Sequence, residues 1–245
     1  MNDSKLHFHF ITLFPETIEV WFRTSILGRG LKNQLFSFEA LQLRDFATDS
    51  HKRVDDTAYG GGGGMVLKIE PLVKAVESLY EKYGRENVYT IYFSPAGQKL
   101  EEKLISKFSS NLIHKHLVLI CGHYEGIDER FVNHWVDCQI SLGDFVMTGG
   151  EIPAIAFADA LVRKVHGVLG YDAAPEKESF SLRDPNSNQI LLEYPQYTRP
   201  KEFRGLAVPE VLLNGNHQDV EEWRLEKSIE RTRHLRPDLM SLQIH

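Results

Sequence analysis

The segment from Ser141 to Gly170, SLGDFVMTGGEIPAIAFADALVRKVHGVLG, guides the interpretation of the whole chain. It begins at the end of an apolar strand, passes through Gly143-Asp144 and Gly149-Gly150, and enters a long apolar helix expected over Glu151–Val168. Glycine turns so close together indicate a backbone folded tightly around a ligand or around another piece of backbone. The helix keeps Arg163 among apolar residues, which indicates either the salt-bridged edge of a core helix or a functional charge.

Strand and helix patterns alternate on both sides of this segment. The runs that read as strands are Leu6–Leu13, Phe36–Leu43, Val88–Phe93, Leu117–Cys121 and Val136–Leu142. The helices before the long one are expected from Pro15 through Ile26, over Pro71–Tyr83, from Leu100 to Phe108, and over Glu125–Asn133. This order predicts an α/β domain with a mostly parallel sheet, covering residues 1–170.

The character of the chain changes after Gly170. Residues 171–192 are rich in Asp, Pro, Ser, Asn and Lys and show no apolar period until their last positions, so we expect a flexible linker or lid there. Residues 193–245 resume with apolar positions and end in a helix, for which Asp219 is the expected N-cap. They predict a small helical second domain.

Composition limits the classes of function. The chain has 245 residues, two cysteines in apolar runs, no secretory signal and no stretch long enough to cross a membrane, so we expect a cytoplasmic protein with reduced thiols. The net charge of −6 does not favour nucleic-acid binding. Residues 224–236, however, hold five Lys or Arg against two Glu, which suits either an RNA contact or a solvated helix face.

The run Gly60–Gly64 invites comparison with phosphate-binding loops. Met65-Val66 follows it instead of the Gly-Lys-Ser/Thr that ends a P-loop, and a polar stretch precedes it instead of the buried strand of a dinucleotide fold. Five glycines allow a backbone to pass close to a ligand, or they form a disordered loop. Both interpretations stay open.

Three glycine-containing loops follow predicted strands: Ser94–Gly97, Gly122–Arg130 and Gly143–Met147. Ligands of open α/β sheets bind beyond the carboxyl ends of the strands, so these loops predict one pocket, suited to the adenosine of a cofactor. Neither cysteine has a second ligand at zinc-site spacing, and we predict no structural metal.

Five runs together carry a family resemblance: VDDTAYGGGGGMVL, LICGHYEGIDERF, SLGDFVMTGGEIPA, EYPQYTRP and VPEVLLNGNHQDVEEWR. The chain resembles the bacterial tRNA (guanine-N1)-methyltransferase family of the SPOUT superfamily over nearly its whole length. The resemblance implies an α/β domain with a C-terminal trefoil knot, a homodimer with its active site at the subunit interface, and methyl transfer from S-adenosylmethionine to N1 of guanosine 37 in tRNA.

The same resemblance implies which residues contact S-adenosylmethionine, one group in each of the three loops. They are Tyr92, Ser94, Pro95 and Gly97; Gly122, Tyr124, Glu125 and Gly126; and Leu142, Gly143, Asp144, Phe145, Val146, Met147, Gly149, Gly150 and Pro153.

For catalysis the resemblance implies Glu178 as the general base and Arg163 as the group that stabilises guanine O6. Glu178 is a departure, because the family has Asp before the Ser-Phe pair. The basic residues 224–236 would hold the tRNA backbone. The sequence leaves open whether Mg²⁺ assists. A different SPOUT RNA methyltransferase and a non-catalytic RNA-binding protein are the alternatives.

Overall fold

The computed structural model describes residues 6–110, 116–170 and 178–241. The chain divides into two compact units, Met1–Gly170 and Tyr171–His245. In the described ranges no helix combines the length and the apolar character needed to cross a membrane.

The first unit is built on a five-stranded sheet in the order β2-β1-β6-β5-β7. Every pairing in it is parallel, as the alternation of strands and helices predicted. The strands are β1 (Leu6–Thr12), β2 (Phe36–Gln42), β5 (Val88–Lys99), β6 (His116–Ile120) and β7 (Cys138–Ser141).

Helices cover both faces of this sheet. Their bounds are α1 (Pro15–Phe22), α2 (Ser25–Lys32), α3 (Ile69–Tyr83), α4 (Glu102–Ser110), α5 (Glu129–Trp135) and α6 (Glu151–Val162). Side chains of α1, α2, α4 and α6 pack with Phe8 and Phe10 of β1, whereas α3 and α5 pack with Ile11. Alternate residues of a strand point to opposite faces, so burial on both faces explains the continuous apolar run of β6.

Several expected bounds were wrong. The helix from Pro15 is two helices, since Arg23 and Thr24 separate α1 from α2. α5 begins at Glu129 because the Asp128 side chain accepts a hydrogen bond from the Arg130 N–H and caps it. α6 ends at Val162, and the next residues continue in tighter turns, with Lys164 N–H donating to the Leu161 carbonyl.

The glycine run lies in a β-hairpin that the sequence pattern did not predict. Its strands β3 (Asp55–Thr57) and β4 (Met65–Leu67) pair antiparallel. Gly60, Gly61 and Gly62 have positive φ, and a Cβ atom on Gly63 would meet nothing within 4 Å. Three-residue strands are too short to give a readable alternation of apolar and polar residues.

Close backbone contacts join the ends of β5, β6 and β7. The Gly150 N–H donates to the Gly122 carbonyl oxygen at 2.8 Å, and a Cβ atom on Gly150 would lie 2.6 Å from the Gly122 nitrogen. A Cβ atom on Gly97 would collide with the backbone of Ile140. These glycines are required because another backbone occupies the space of a side chain.

β5 is longer than expected, and the difference concerns a predicted loop. The strand continues to Lys99, but residues 94–97 bulge out, so that Phe93 and Gln98 both face Ile140. A β-bulge of this kind re-aims side chains at the end of a strand. Ser94 and Pro95 are therefore presented by a bulge rather than by a free loop.

The second unit contains α7 (His217–Leu235), α8 (Asp238–Ser241) and a short hairpin of β8 (Glu202–Phe203) and β9 (Leu206–Ala207). The expected N-cap of its long helix was wrong. α7 begins two residues before Asp219, and the Asn216 side chain accepts a hydrogen bond from the Gln218 N–H. Asn and Asp are equally good caps, so composition could not choose between them.

Of the expected linker, residues 171–177 lie outside the described residues. The remainder, residues 178–192, is hydrogen-bonded within the second unit: Phe180 N–H donates to the Leu191 carbonyl, and Leu192 N–H donates to Thr232 Oγ1 of α7 at 2.8 Å. Leu191 is fully buried. One buried leucine and several hydrogen bonds within turns order residues 178–192. Such features produce no apolar period, so the sequence pattern could not predict them.

A group of aromatic and histidine rings lies at the amino end of the central strands. His9 is buried, contacts His116 Nδ1 through its Nε2 at 3.0 Å, and approaches Glu39 at 3.3 Å. Tyr83 stacks on His116 with ring centroids 3.8 Å apart. Burial, followed by the charges of His7 and Lys82, lowers the pKa of His9 from 6.5 to about 4.

This depressed pKa predicts acid sensitivity. Between pH 6.5 and about 4 the unfolded chain binds a proton at His9 that the folded chain does not, so the free energy of unfolding falls as the pH falls through this window. The shift corresponds to roughly 3 kcal/mol. Urea unfolding at a series of pH values should show a smaller loss for His9→Gln than for the wild type. Parallel curves would contradict the assignment.

The contact between Gly150 and Gly122 predicts a large difference between two glycine substitutions. Gly150→Ala should lower the free energy of unfolding by about 1–3 kcal/mol, since its methyl group must displace backbone. Gly63→Ala is the matched control and should change it little, because its methyl group meets nothing. Equal effects in urea unfolding would show that the contact at Gly150 can relax.

Candidate functional site

A pocket opens at the carboxyl ends of β5, β6 and β7, the place expected for a ligand of a parallel α/β sheet. Its walls come from the bulge of β5, the loop after β6, and the segment between β7 and α6. The lining residues are Tyr92, Phe93, Ser94, Pro95, Gly122, His123, Tyr124, Glu125, Gly126, Ile140, Ser141, Leu142, Gly143, Phe145, Val146, Met147, Thr148, Gly149, Gly150 and Pro153.

Most residues expected to contact the cofactor line this one pocket, and two do not. Gly97 packs against the backbone of Ile140, which gives it a structural reason to be glycine. Asp144 is exposed and forms an ion pair with Lys99 at 3.1 Å. The sequence missed Phe93, His123, Ile140, Ser141 and Thr148 as lining residues, although all but Ile140 adjoin a residue that it singled out.

The pocket presents apolar side chains to solvent. Tyr124 is 49% exposed, Phe145 57% and Val146 86%. Tyr124 also has a positive φ of 61°, an uncommon backbone conformation for a residue with a side chain, and strained positions of this kind cluster at active and ligand-binding sites. Exposed aromatic and aliphatic groups beside backbone N–H and C=O groups suit a ligand with a flat heterocycle and polar edges.

Tyr92 supplies a hydroxyl group to the same pocket. Burial, and next the charge of Glu129, raises its pKa. The phenol therefore stays protonated at neutral pH and can donate a hydrogen bond. A Cβ atom on Gly122 would lie 2.9 Å from the Tyr92 ring, so glycine is needed for the ring to reach its place. The donor set and this close packing fit an adenosine-containing cofactor such as S-adenosylmethionine.

A buried polar network lies beside the pocket. Glu151, the first residue of α6, is 6% exposed and accepts hydrogen bonds from Thr12 Oγ1 at 2.6 Å and from His123 Nε2 at 2.8 Å. The Thr12 hydroxyl also accepts from the Phe14 N–H at 2.9 Å. No sequence pattern predicted this network, because its members are far apart in the chain.

Arg163, an expected catalytic residue, lies at the other end of α6. It follows Glu151 by twelve residues, which is about 18 Å along the axis at 1.5 Å per residue. It is half-buried and does not line the pocket. Burial raises the pKa of Asp159, one turn earlier, and the charge of Arg163 acts in the opposite direction. The catalytic role of Arg163 stays a prediction.

Glu178, the expected base, belongs to the second unit and is partly exposed. Two nearby carboxylates could compete for its role. Asp184 accepts hydrogen bonds from Ser187 Oγ and from the Asn186 N–H, and these bonds, Ser187 first, lower its pKa. Asp184 therefore serves a turn. Glu193 lines a second pocket with Ser179, Tyr194 and Arg231, among others.

Among the residues that the structure describes, no three His, Cys, Asp or Glu side chains are grouped so as to hold a metal ion. The two thiols are free. Burial raises the pKa of Cys121 well above its usual range, with a further contribution from Glu151. Burial also raises the pKa of Cys138.

Comparison with known proteins identifies the family of this chain. Residues 6–242 match the family model described as tRNA (Guanine-1)-methyltransferase TrmD. The tRNA (guanine-N(1)-)-methyltransferase of Carboxydothermus hydrogenoformans is 46% identical over 95% of this chain and 87% of its own length. The enzyme of the same name from Brevibacillus brevis is 47% identical over 94% of this chain and 89% of its own.

A solved structure extends the likeness to three dimensions. The crystal structure of tRNA (m1G37) methyltransferase from Aquifex aeolicus matches with a TM-score of 0.74 and 39% identity. The match covers 96% of this chain and 95% of the other. The agreement in sequence and in fold spans both units, and on these grounds the chain belongs to the tRNA (guanine-N1)-methyltransferase family of enzymes.

Proposed function

We propose that the protein transfers a methyl group from S-adenosylmethionine to N1 of guanosine 37 in tRNA, next to the anticodon. The observation that carries this proposal is the pocket itself. Its exposed apolar wall and backbone polar groups suit an adenosine cofactor, and it lies where the expected contact residues converge. The Aquifex aeolicus enzyme, an m1G37 methyltransferase, supports position 37 as the target.

The pocket residues bind and orient the cofactor. Tyr124, Phe145 and Val146 would cover its adenine, and the backbone of the loops after β6 and β7 would hold its polar groups. When bound, S-adenosylmethionine supplies an electrophilic methyl group. The chain's own task is then to hold the acceptor nitrogen in line with that group and to exclude water.

The guanine must lose a proton to become a good acceptor. N1 carries a hydrogen in the neutral base, and its loss moves negative charge toward O6. Glu178 takes this proton as the general base, and the Arg163 guanidinium stabilises the charge at O6. Glutamate in place of aspartate has similar acidity and one more methylene, so proton transfer is retained with adjusted geometry.

We further infer that two copies complete each site. Arg163 is about 18 Å along α6 from the start of the helix at the pocket, and Glu178 belongs to the other unit of the chain. A second copy can bring both residues to the pocket of the first. This arrangement defines a homodimer with its active site at the subunit interface.

The remaining assignments follow from the same proposal. The close backbone contacts of Gly150 with Gly122, and of Gly97 with Ile140, support a trefoil knot around the pocket. The proposal divides the chain into a methyltransferase domain (1–170), a linker (171–192) that contains Glu178, and a tRNA-binding domain (193–245), with the basic residues of α7 on the phosphate backbone. We place this reaction in the cytoplasm.

One assay tests the function and its rivals. The protein is incubated with labelled S-adenosylmethionine and tRNA transcripts that carry guanosine or adenosine at position 37, and the methylated nucleoside is mapped. We expect transfer to N1 only with guanosine 37. Transfer to another position would support a different RNA methyltransferase, and tRNA binding without transfer would support a non-catalytic RNA-binding protein.

Removal of the base gives a second prediction. Glu178→Ala should slow single-turnover methylation by about 10²–10⁴-fold, the usual span for a lost general base, and should leave S-adenosylmethionine affinity unchanged. Glu193→Ala, a nearby carboxylate in the same unit, is the matched control and should be much less affected. If Glu193→Ala is the slower variant, the two roles are exchanged.

Mixed dimers test whether Arg163 serves the partner's pocket. Arg163→Ala and the pocket-filling Ser94→Trp should each be inactive as homodimers, the second through lost cofactor binding. In a dimer with one copy of each, one site combines the intact pocket with the intact arginine, so about half of the wild-type sites should work. A mixed dimer without activity would place both residues in one chain.

A further inference from the structure

His123 and Glu151 form a pair at the pocket that the proposed reaction does not yet use. His123 Nε2 lies 2.9 and 2.8 Å from the two oxygens of Glu151. A carboxylate only accepts hydrogen bonds, so this ring nitrogen carries the proton. The bond connects the loop after β6 with the first residue of α6.

Other contacts fix both partners. Thr12 Oγ1 donates to Glu151 Oε1 at 2.6 Å, and the Phe14 ring packs edge-on against His123 with centroids 5.2 Å apart. Gly149 bridges to His123, and a Cβ atom on it would lie 2.4 Å from His123 Cε1 and 2.7 Å from Glu151 Oε2. The positive end of the α6 dipole also favours the carboxylate at this position.

The other ring nitrogen of His123, Nδ1, is available to a ligand. His123 lines the pocket, and its side chain is 14% exposed. Within residues 6–110, 116–170 and 178–241, His123 Nδ1 makes no hydrogen bond, whereas Nε2 is held by Glu151. When the ring is neutral and Nε2 carries its proton, Nδ1 is a hydrogen-bond acceptor.

We propose that His123 contacts the methyl donor in this pocket through Nδ1, and that Glu151, supported by Thr12, is the residue that positions its ring. The contact takes a hydrogen-bond donor of the cofactor, of which S-adenosylmethionine offers an ammonium, two ribose hydroxyls and the adenine amino group. This inference rests on the proposed function, since it assumes that the pocket binds S-adenosylmethionine.

Glutamine at position 123 separates ligand binding from structural support. Its amide nitrogen can occupy the place of Nε2 and keep the bond to Glu151, but nothing replaces Nδ1. His123→Gln should retain the wild-type melting temperature and bind S-adenosylmethionine about 10-fold more weakly in calorimetry. It should raise KM for S-adenosylmethionine with a smaller change in kcat. His134→Gln, an exposed histidine on α5, is the matched control and should change neither.

A double-mutant cycle tests the positioning role. Glu151→Gln should weaken S-adenosylmethionine binding when His123 is present and have no further effect in the His123→Gln background, because it acts through that ring. Should Glu151→Gln fail to fold, Thr12→Val replaces it in the cycle, with Thr12→Ser expected to restore binding.

The possible results distinguish the contact of His123, the positioning role of Glu151 and the proposed function. Wild-type affinity in His123→Gln would overturn the contact and leave the pair a structural support, and additive effects in the cycle would overturn the positioning role. A wild-type protein that does not bind S-adenosylmethionine would overturn the proposed function itself, and this inference with it.

Discussion

The hydrogen bond from the Gly150 N–H to the Gly122 carbonyl oxygen holds the loops after β6 and β7 together, and the pocket depends on it. At 2.8 Å the two backbones are too close for a side chain on Gly150. α6 starts at the next residue, so the same contact fixes where that helix begins. This one backbone contact, between Gly150 and Gly122, therefore sets the positions of the pocket wall, of Glu151 and of the axis of α6.

The two ends of α6 lie in different surroundings. In its first turn Pro153 lines the pocket and Glu151 lies beside it, whereas Arg163 directly follows its last residue, Val162. A rigid helix keeps these groups about 18 Å apart, because the rise per residue is fixed. This separation is the reason for the proposal that a second copy completes each site.

Much of the fold could be predicted from the sequence, because the parallel sheet and its helices leave strong apolar periods. α3 is an example, with Leu72, Ala75, Val76 and Leu79 buried on one face. Bounds set by single polar contacts were missed. Asp128 and Asn216 each cap a helix through one hydrogen bond, and nothing in the pattern distinguishes them from other polar residues. The β3–β4 hairpin was too short to read.

The candidate site divides in the same way. Glycines at strand ends predicted the pocket, because two backbones that approach as closely as Gly150 and Gly122 require glycine, and glycine is visible in the sequence. The network of Thr12, His123 and Glu151 gives no such signal, because hydrogen bonds between residues 28 and 139 positions apart produce no sequence period. The roles of Glu178 and Arg163 came from family resemblance, and local pattern alone gave them no assignment.

The two thiols have a practical consequence for the study of this protein. Cys121 is buried, and burial raises the pKa of both thiols, so little reactive thiolate is present at neutral pH. A cysteine introduced at the tip of the glycine hairpin would lie in open space. The natural chain is thus a nearly silent background for a fluorophore or spin label that reports on the hairpin while RNA approaches.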